Sequence, residues 1–81
     1  MRVPRDIDAD ALIKLLERYG YSVVRQTGSH IRLIKETDDG CHDITVPNHK
    51  PIKIGTLQSI AKDICNFSRL DITHFYEQLQ K

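Results

Sequence analysis

Two glycine-containing turns, Thr27-Gly28-Ser29 and Asp38-Asp39-Gly40, bracket a run in which His30 and Arg32 alternate with Ile31 and Leu33. Glycine reaches the φ > 0 conformations that tight turns demand, and strict alternation is the period of a strand with one buried face. After the second turn, Ile44 and Val46 alternate with Asp43 and Thr45 until Pro47 ends the pattern. Before the first turn, Tyr21 to Gln26 is β-branched and extended. The spacing predicts three antiparallel strands joined by short turns.

Helical spacing flanks these strands. Asp8 stands as an N-cap before Ala11, Leu12, Leu15, Leu16 and Tyr19, and Gly20 sits where a left-handed residue closes a helix. Pro47 to Ile54 holds two prolines and no period, so it reads as a loop. Leu57, Ile60, Ala61 and Ile64 then form the apolar stripe of a second helix that opens near Gly55-Thr56. Ile72, Phe75, Tyr76 and Leu79 suggest a short third helix capped by Asp71. The expected class is α+β with the order α-β-β-β-α and a short extra C-terminal helix. Two layers follow from the apolar faces: the first two helices cover Ile31, Leu33, Ile44 and Val46, which leaves His30 and Arg32 on the solvent side. Ile34 shares the parity of His30 and is expected to mark the edge of an exposed apolar patch. A chain of 81 residues makes a single domain with a small core and low stability.

Composition narrows the function classes. No apolar run is long enough to cross a bilayer, and Met1-Arg2-Val3-Pro4-Arg5-Asp6 lacks an apolar signal core, so the expectation is a cytoplasmic protein with no membrane partner. Cys41 and Cys65 show neither paired spacing nor a zinc pattern and are expected as reduced thiols. A net charge of +1 argues against a uniformly basic surface. The charges are nevertheless unevenly placed. No acid falls between Glu17 and Glu36, where Arg18, Arg25, His30, Arg32 and Lys35 lie; none falls between Asp43 and Asp63, where His49, Lys50, Lys53 and Lys62 lie. A fold that joins the two stretches would concentrate cations; otherwise these are solvated side chains.

His30 is the principal candidate for chemistry. Imidazole titrates near neutrality and suits proton transfer, although a surface histidine that merely starts a strand is the ordinary case. Cleaving a phosphodiester without a metal needs proton transfer and charge stabilisation at the phosphoryl oxygens. His30 would supply the first. Arg32, two residues on, is the nearest phosphate holder, and Arg25, Lys50 and Lys53 extend the track if hairpin and loop converge. Backbone N–H groups at the start of the second helix offer a further anion contact. His49 is a candidate second proton carrier, weighed against a loop histidine tied to backbone. Gly28 and Ser29 are assigned to shaping the turn, since Ser29 has no identifiable orienting acid and points away from His30. His42 is expected to be structural and His74 to lie on the outer face of the third helix. The histidines with Cys41 match no common metal-site spacing, so no metal or other cofactor is expected.

Taken together, Gly20, Gly28-Ser29-His30, Asp39-Gly40, Val46-Pro47-Asn48-His49 and Lys53-Ile54-Gly55-Thr56-Leu57, in that order, resemble the HicA-type (YcfA-like) mRNA interferase toxins. The resemblance covers about residues 9–65 of one domain spanning 1–81, with 67–81 as a C-terminal helical extension. It implies a fold similar to a double-stranded RNA-binding domain and a metal-independent endoribonuclease in which His30 carries the chemistry on single-stranded messenger RNA. It also implies a HicB-type antitoxin protein as partner. The chain departs from the common pattern at Ile54, where a proline often precedes the glycine, and in its longer C-terminal segment. The alternative is a non-catalytic RNA-binding or antitoxin-binding module on the same fold.

Overall fold

Helical periodicity, turn chemistry and strand alternation reappear in the computed structural model, which describes residues 3–80. The elements are α1 (Ala9–Arg18), β1 (Ser22–Thr27), β2 (His30–Thr37), β3 (Gly40–Pro47), α2 (Ile54–Ser68) and α3 (Ile72–Leu79). The strands form one antiparallel sheet in the order β1-β2-β3. Helices occupy one side of it, and the fold is the expected two-layer α-β-β-β-α arrangement with an added C-terminal helix.

Local chemistry accounts for most boundaries. Asp8 holds the N-cap position of α1 with extended backbone, although its side chain makes no capping hydrogen bond. The chain leaves α1 through Gly20 at φ +99°. Asp71 caps α3 by accepting from the His74 backbone N–H at 3.1 Å, which satisfies one of the free donors at that helix start. Three expectations shift. Ala11 is exposed and Ala9 is buried instead, because Ala9, Leu12 and Leu16 fall on one face at three- and four-residue spacing. Tyr21 precedes β1 and is sunk in the core at 2% exposure, so the strand starts one residue later and runs one further, to Thr27. The helix α2 continues past its apolar stripe to Ser68 and closes at Arg69 in a left-handed conformation.

The core is built from every element except β1. Leu12 and Leu16 of α1, Leu33 of β2, Val46 of β3, Leu57 and Ile64 of α2 and Phe75 of α3 are fully buried. Burying a side chain of this size stabilises by about 1.5–3 kcal/mol. The third helix is thus core: Phe75, Tyr76 and Leu79 are buried, and the Phe75 ring stacks on Tyr19 with centroids 5.9 Å apart. All of β1 is exposed.

The β1–β2 ladder carries a bulge between Val23 and Arg25. Val23 pairs with Leu33 on the helix side, yet Arg25 pairs with Arg32 on the open side, because Val24 is the extra residue that reverses the parity. The exposed apolar residues Val23 and Val24 lie here, while Ile34 is half-buried, so the patch edge expected at Ile34 belongs to β1.

Candidate active site on the open sheet face

Gly28 takes φ +57°, a left-handed conformation that glycine adopts without strain, and the chain reverses at once into β2. His30 is therefore the first strand residue, paired with Thr27 on β1 and Pro47 on β3. Its exposed side chain stands on the face opposite the helices, since Ile31 and Leu33 between its parity mates are buried. The turn is fixed from the neighbouring loop: the Asn48 backbone N–H donates to the Ser29 carbonyl at 2.6 Å. That bond uses the backbone of Ser29 and not its hydroxyl. Gly28-Ser29-His30 and Pro47-Asn48-His49, distant in sequence, form one end of the sheet.

Five residues line a shallow depression of about 310 Å³ on this face: Arg25, Thr27, His30, Arg32 and Thr45. Arg25 is there through the bulge, which sets it in register with Arg32. Arg32 is opposite Thr45 on β3, and its guanidinium donates to the Asp43 carboxylate. Both partners of this ion pair are about half exposed, 53% and 54%. At that exposure the pair contributes only about 0–1 kcal/mol. No hydrogen bond or ion pair engages the His30 ring among the described residues. The residue is exposed at the edge of the depression.

The remaining candidates are elsewhere. Lys50 reaches toward Asp10 at the start of α1, 3.9 Å away, and Lys53 is the N-cap residue of α2; neither lines the depression. The two acid-free stretches do meet along β2 and β3, but the lysines of the second turn away. His49 is exposed and its main chain is engaged: its N–H donates to Pro47 at 2.9 Å and its carbonyl accepts from Ala9 at 3.2 Å. The His49 ring does not line the depression either. His74 is exposed on α3.

His42 is structural, as its position after the turn suggests. Nδ1 lies 2.6 Å from the Tyr21 hydroxyl, Nε2 lies 3.4 Å from Asp63, and the ring stacks on Phe67 with centroids 4.6 Å apart. Burial is the main reason the Tyr21 phenol is pushed above its ordinary value, with nearby Asp63 and Cys65 adding to the effect and Ser68 opposing it. Cys41 is exposed and Cys65 buried, and both are free thiols. No group of three or more His, Cys, Asp or Glu side chains able to hold a metal ion occurs among the described residues. Nor, among them, is any helix long and apolar enough to cross a membrane.

Three neighbours of the site are not singled out by the sequence: Thr27, Thr45 and Asp43. They matter only through strand register, which the Gly28-Ser29 turn sets for Thr27 by pairing it with His30, and the turn at Asp38-Asp39 sets for Asp43 and Thr45 by pairing Thr37 with Gly40. The alternation of Asp43 and Thr45 with Ile44 and Val46 is the available signal.

The family described as HicA toxin of bacterial toxin-antitoxin matches residues 9–64. No curated protein and no solved structure matches the chain.

Proposed function

The chain belongs to the HicA toxin family, whose members are the toxin half of a bacterial toxin-antitoxin pair, and on that premise we propose that it is a metal-independent endoribonuclease acting on single-stranded messenger RNA through His30. The whole chain, 1–81, acts as one domain. Its partner is a HicB-type antitoxin that covers the open sheet face.

One observation carries the reading: His30 shares a solvent-open depression with the in-register arginines Arg25 and Arg32. The arginines hold the scissile phosphate and stabilise charge as it develops on the phosphoryl oxygens. The His30 ring takes the proton from the 2′-hydroxyl as its oxygen bonds to phosphorus; the P–O5′ bond breaks, leaving a 2′,3′-cyclic phosphate, and the departing 5′-oxygen takes its proton from water. A positioned base of this kind is worth about 10²- to 10⁴-fold in rate. Gly28 and Ser29 shape the turn that presents it. Lys50, Lys53 and His49 follow β3 outside the depression, where they would meet RNA beyond the cut.

The test is cleavage of a single-stranded message by purified protein with divalent metal chelated. His30→Ala should lower the rate by about 10²- to 10⁴-fold while leaving RNA affinity within twofold, on the order of the error of such a titration. Equal decay with both proteins would reject the assignment. Binding without cleavage by the wild-type protein would instead identify a non-catalytic RNA-binding module, a reading that the single histidine in the depression keeps in play.

A further inference from the structure

Arg32 is already occupied. Its guanidinium donates to Asp43, a carboxylate that projects from β3 onto the same open face. Arg25 stands directly across from Arg32 on β1 and has no acidic partner among the described residues. Two like charges opposite one another in a sheet repel, and Asp43 cancels one of them. A carboxylate and a phosphate present equivalent acceptor oxygens to a guanidinium, so either can fill the place. The ion pair is half exposed on both sides and exchanges readily.

Asp43 also borders a second depression, of about 240 Å³, where Thr45 and Ser59 offer hydroxyl donors to a displaced carboxylate. Thr45 lines both depressions and is the boundary between them. A basic hollow and a hollow bordered by Asp43 and Asp63 thus lie side by side, and Asp43 borders the second while its carboxylate pairs with Arg32 of the first.

We propose that Asp43 is an internal stand-in for phosphate: it lies beyond Arg32 from His30 along the open face, holds the Arg32 guanidinium at that position while the site is empty, and competes with an incoming RNA phosphate for it. The inference rests on the nucleic-acid reading of this face. Asp43 is a positioning residue that acts through Arg32, and its net effect on the unreacted complex is to weaken it. RNA therefore binds less tightly than two unopposed arginines would allow, and the salt response of binding reports fewer phosphate contacts than the face can make.

The experiment titrates a single-stranded 2′-O-methyl oligoribonucleotide, which lacks the attacking hydroxyl, against wild type, Asp43→Asn, Arg32→Ala and the double variant over a range of salt. Circular dichroism of each variant establishes that it is folded, and Asp43→Ser repeats the charge removal without an amide. Asp43→Asn should bind about 2- to 5-fold more tightly at low salt, the size of an exposed ion pair. Its log affinity should fall more steeply with log salt, by about 0.7, the increment for one further phosphate on a single strand. In the Arg32→Ala background the same substitution should leave affinity essentially unchanged, as a pairwise coupling requires. Equal or weaker binding by both Asp43 variants would overturn the proposal, as would a gain that persists undiminished without Arg32. Those results leave the nucleic-acid reading standing if wild type binds; failure of all variants to bind the oligonucleotide removes both.

Discussion

His30 owes its placement to a neighbour with no side chain. Gly28 sits at φ +57° with nothing within 4 Å of where a Cβ would stand, so substitution there meets conformational strain and no clash. A non-glycine residue in the left-handed region costs about 1–2 kcal/mol. Gly28→Ala should therefore lower stability by about that amount, measured by urea unfolding, and Gly28→Asn should recover part of the loss because asparagine tolerates this region. Arg25 makes the opposite kind of prediction. It faces Arg32 in register, a like-charge pair that destabilises a sheet by about 0.2–1 kcal/mol. Arg25→Thr should hold or raise the melting temperature while it weakens RNA binding and reduces the salt slope by about 0.7. Stability and function moving in opposite directions is the signature of a residue kept for its site. A fall in melting temperature with unchanged RNA affinity would mark Arg25 as structural.

At the scale of elements, what the sequence discloses depends on how local the cause is. Turns at Gly28 and Asp39-Gly40, the stop at Pro47 and the cap at Asp71 act within a few residues, and the strands and helices follow from them. Alternation then fixes faces, so the exposure of His30 and Arg32 is legible in advance. The bulge at Val24 is not. Parity counted from Val23 puts Arg25 among the helices, and only the extra residue in the ladder brings it to the open face. Lys50 and Lys53 fail to join the depression for a similar reason: their directions are set by the loop crossing to α1, where Ile52 N–H meets the Ile7 carbonyl at 2.8 Å. The joint at the other end of the sheet is likewise long-range. His42 of β3 bonds Tyr21 ahead of β1 and packs on Phe67 of α2. His42→Ala strands the Tyr21 hydroxyl, a loss of about 1–3 kcal/mol that chemical unfolding would register. Turnover per folded molecule should stay at the wild-type level, the reverse of His30→Ala, and a loss of turnover without a loss of stability would reassign His42 to the chemistry.

The whole molecule has a small core in which three titratable groups are held uncharged. Burial is the first cause that pushes Tyr21 and Tyr76 above the ordinary phenol value of 10.0 and Cys65 above the ordinary thiol value of 9.0. For Tyr76 the nearby Cys65 adds to the effect, and for Cys65 Asp71 does so. Below about pH 8 both folded and unfolded chains keep these protons, and the groups impose no pH dependence. Above it the unfolded chain ionises first while the folded chain cannot, so stability falls as pH rises through the gap between ordinary and raised values. Urea unfolding at stepped pH should be flat from these groups up to about 8 and decline beyond it. Tyr76 separates the contributions. It is 3% exposed and its hydroxyl has no hydrogen-bond partner among the described residues, an arrangement that costs about 1–3 kcal/mol. The ring itself packs against Phe75, with centroids 6.4 Å apart. Tyr76→Phe keeps that ring and removes only the unpaired hydroxyl. It should therefore raise stability at neutral pH by about 1 kcal/mol and make the alkaline decline shallower. Destabilisation by Tyr76→Phe, or an unchanged alkaline limb, would mean that the hydroxyl is satisfied in solution and that its burial is not what limits this small core.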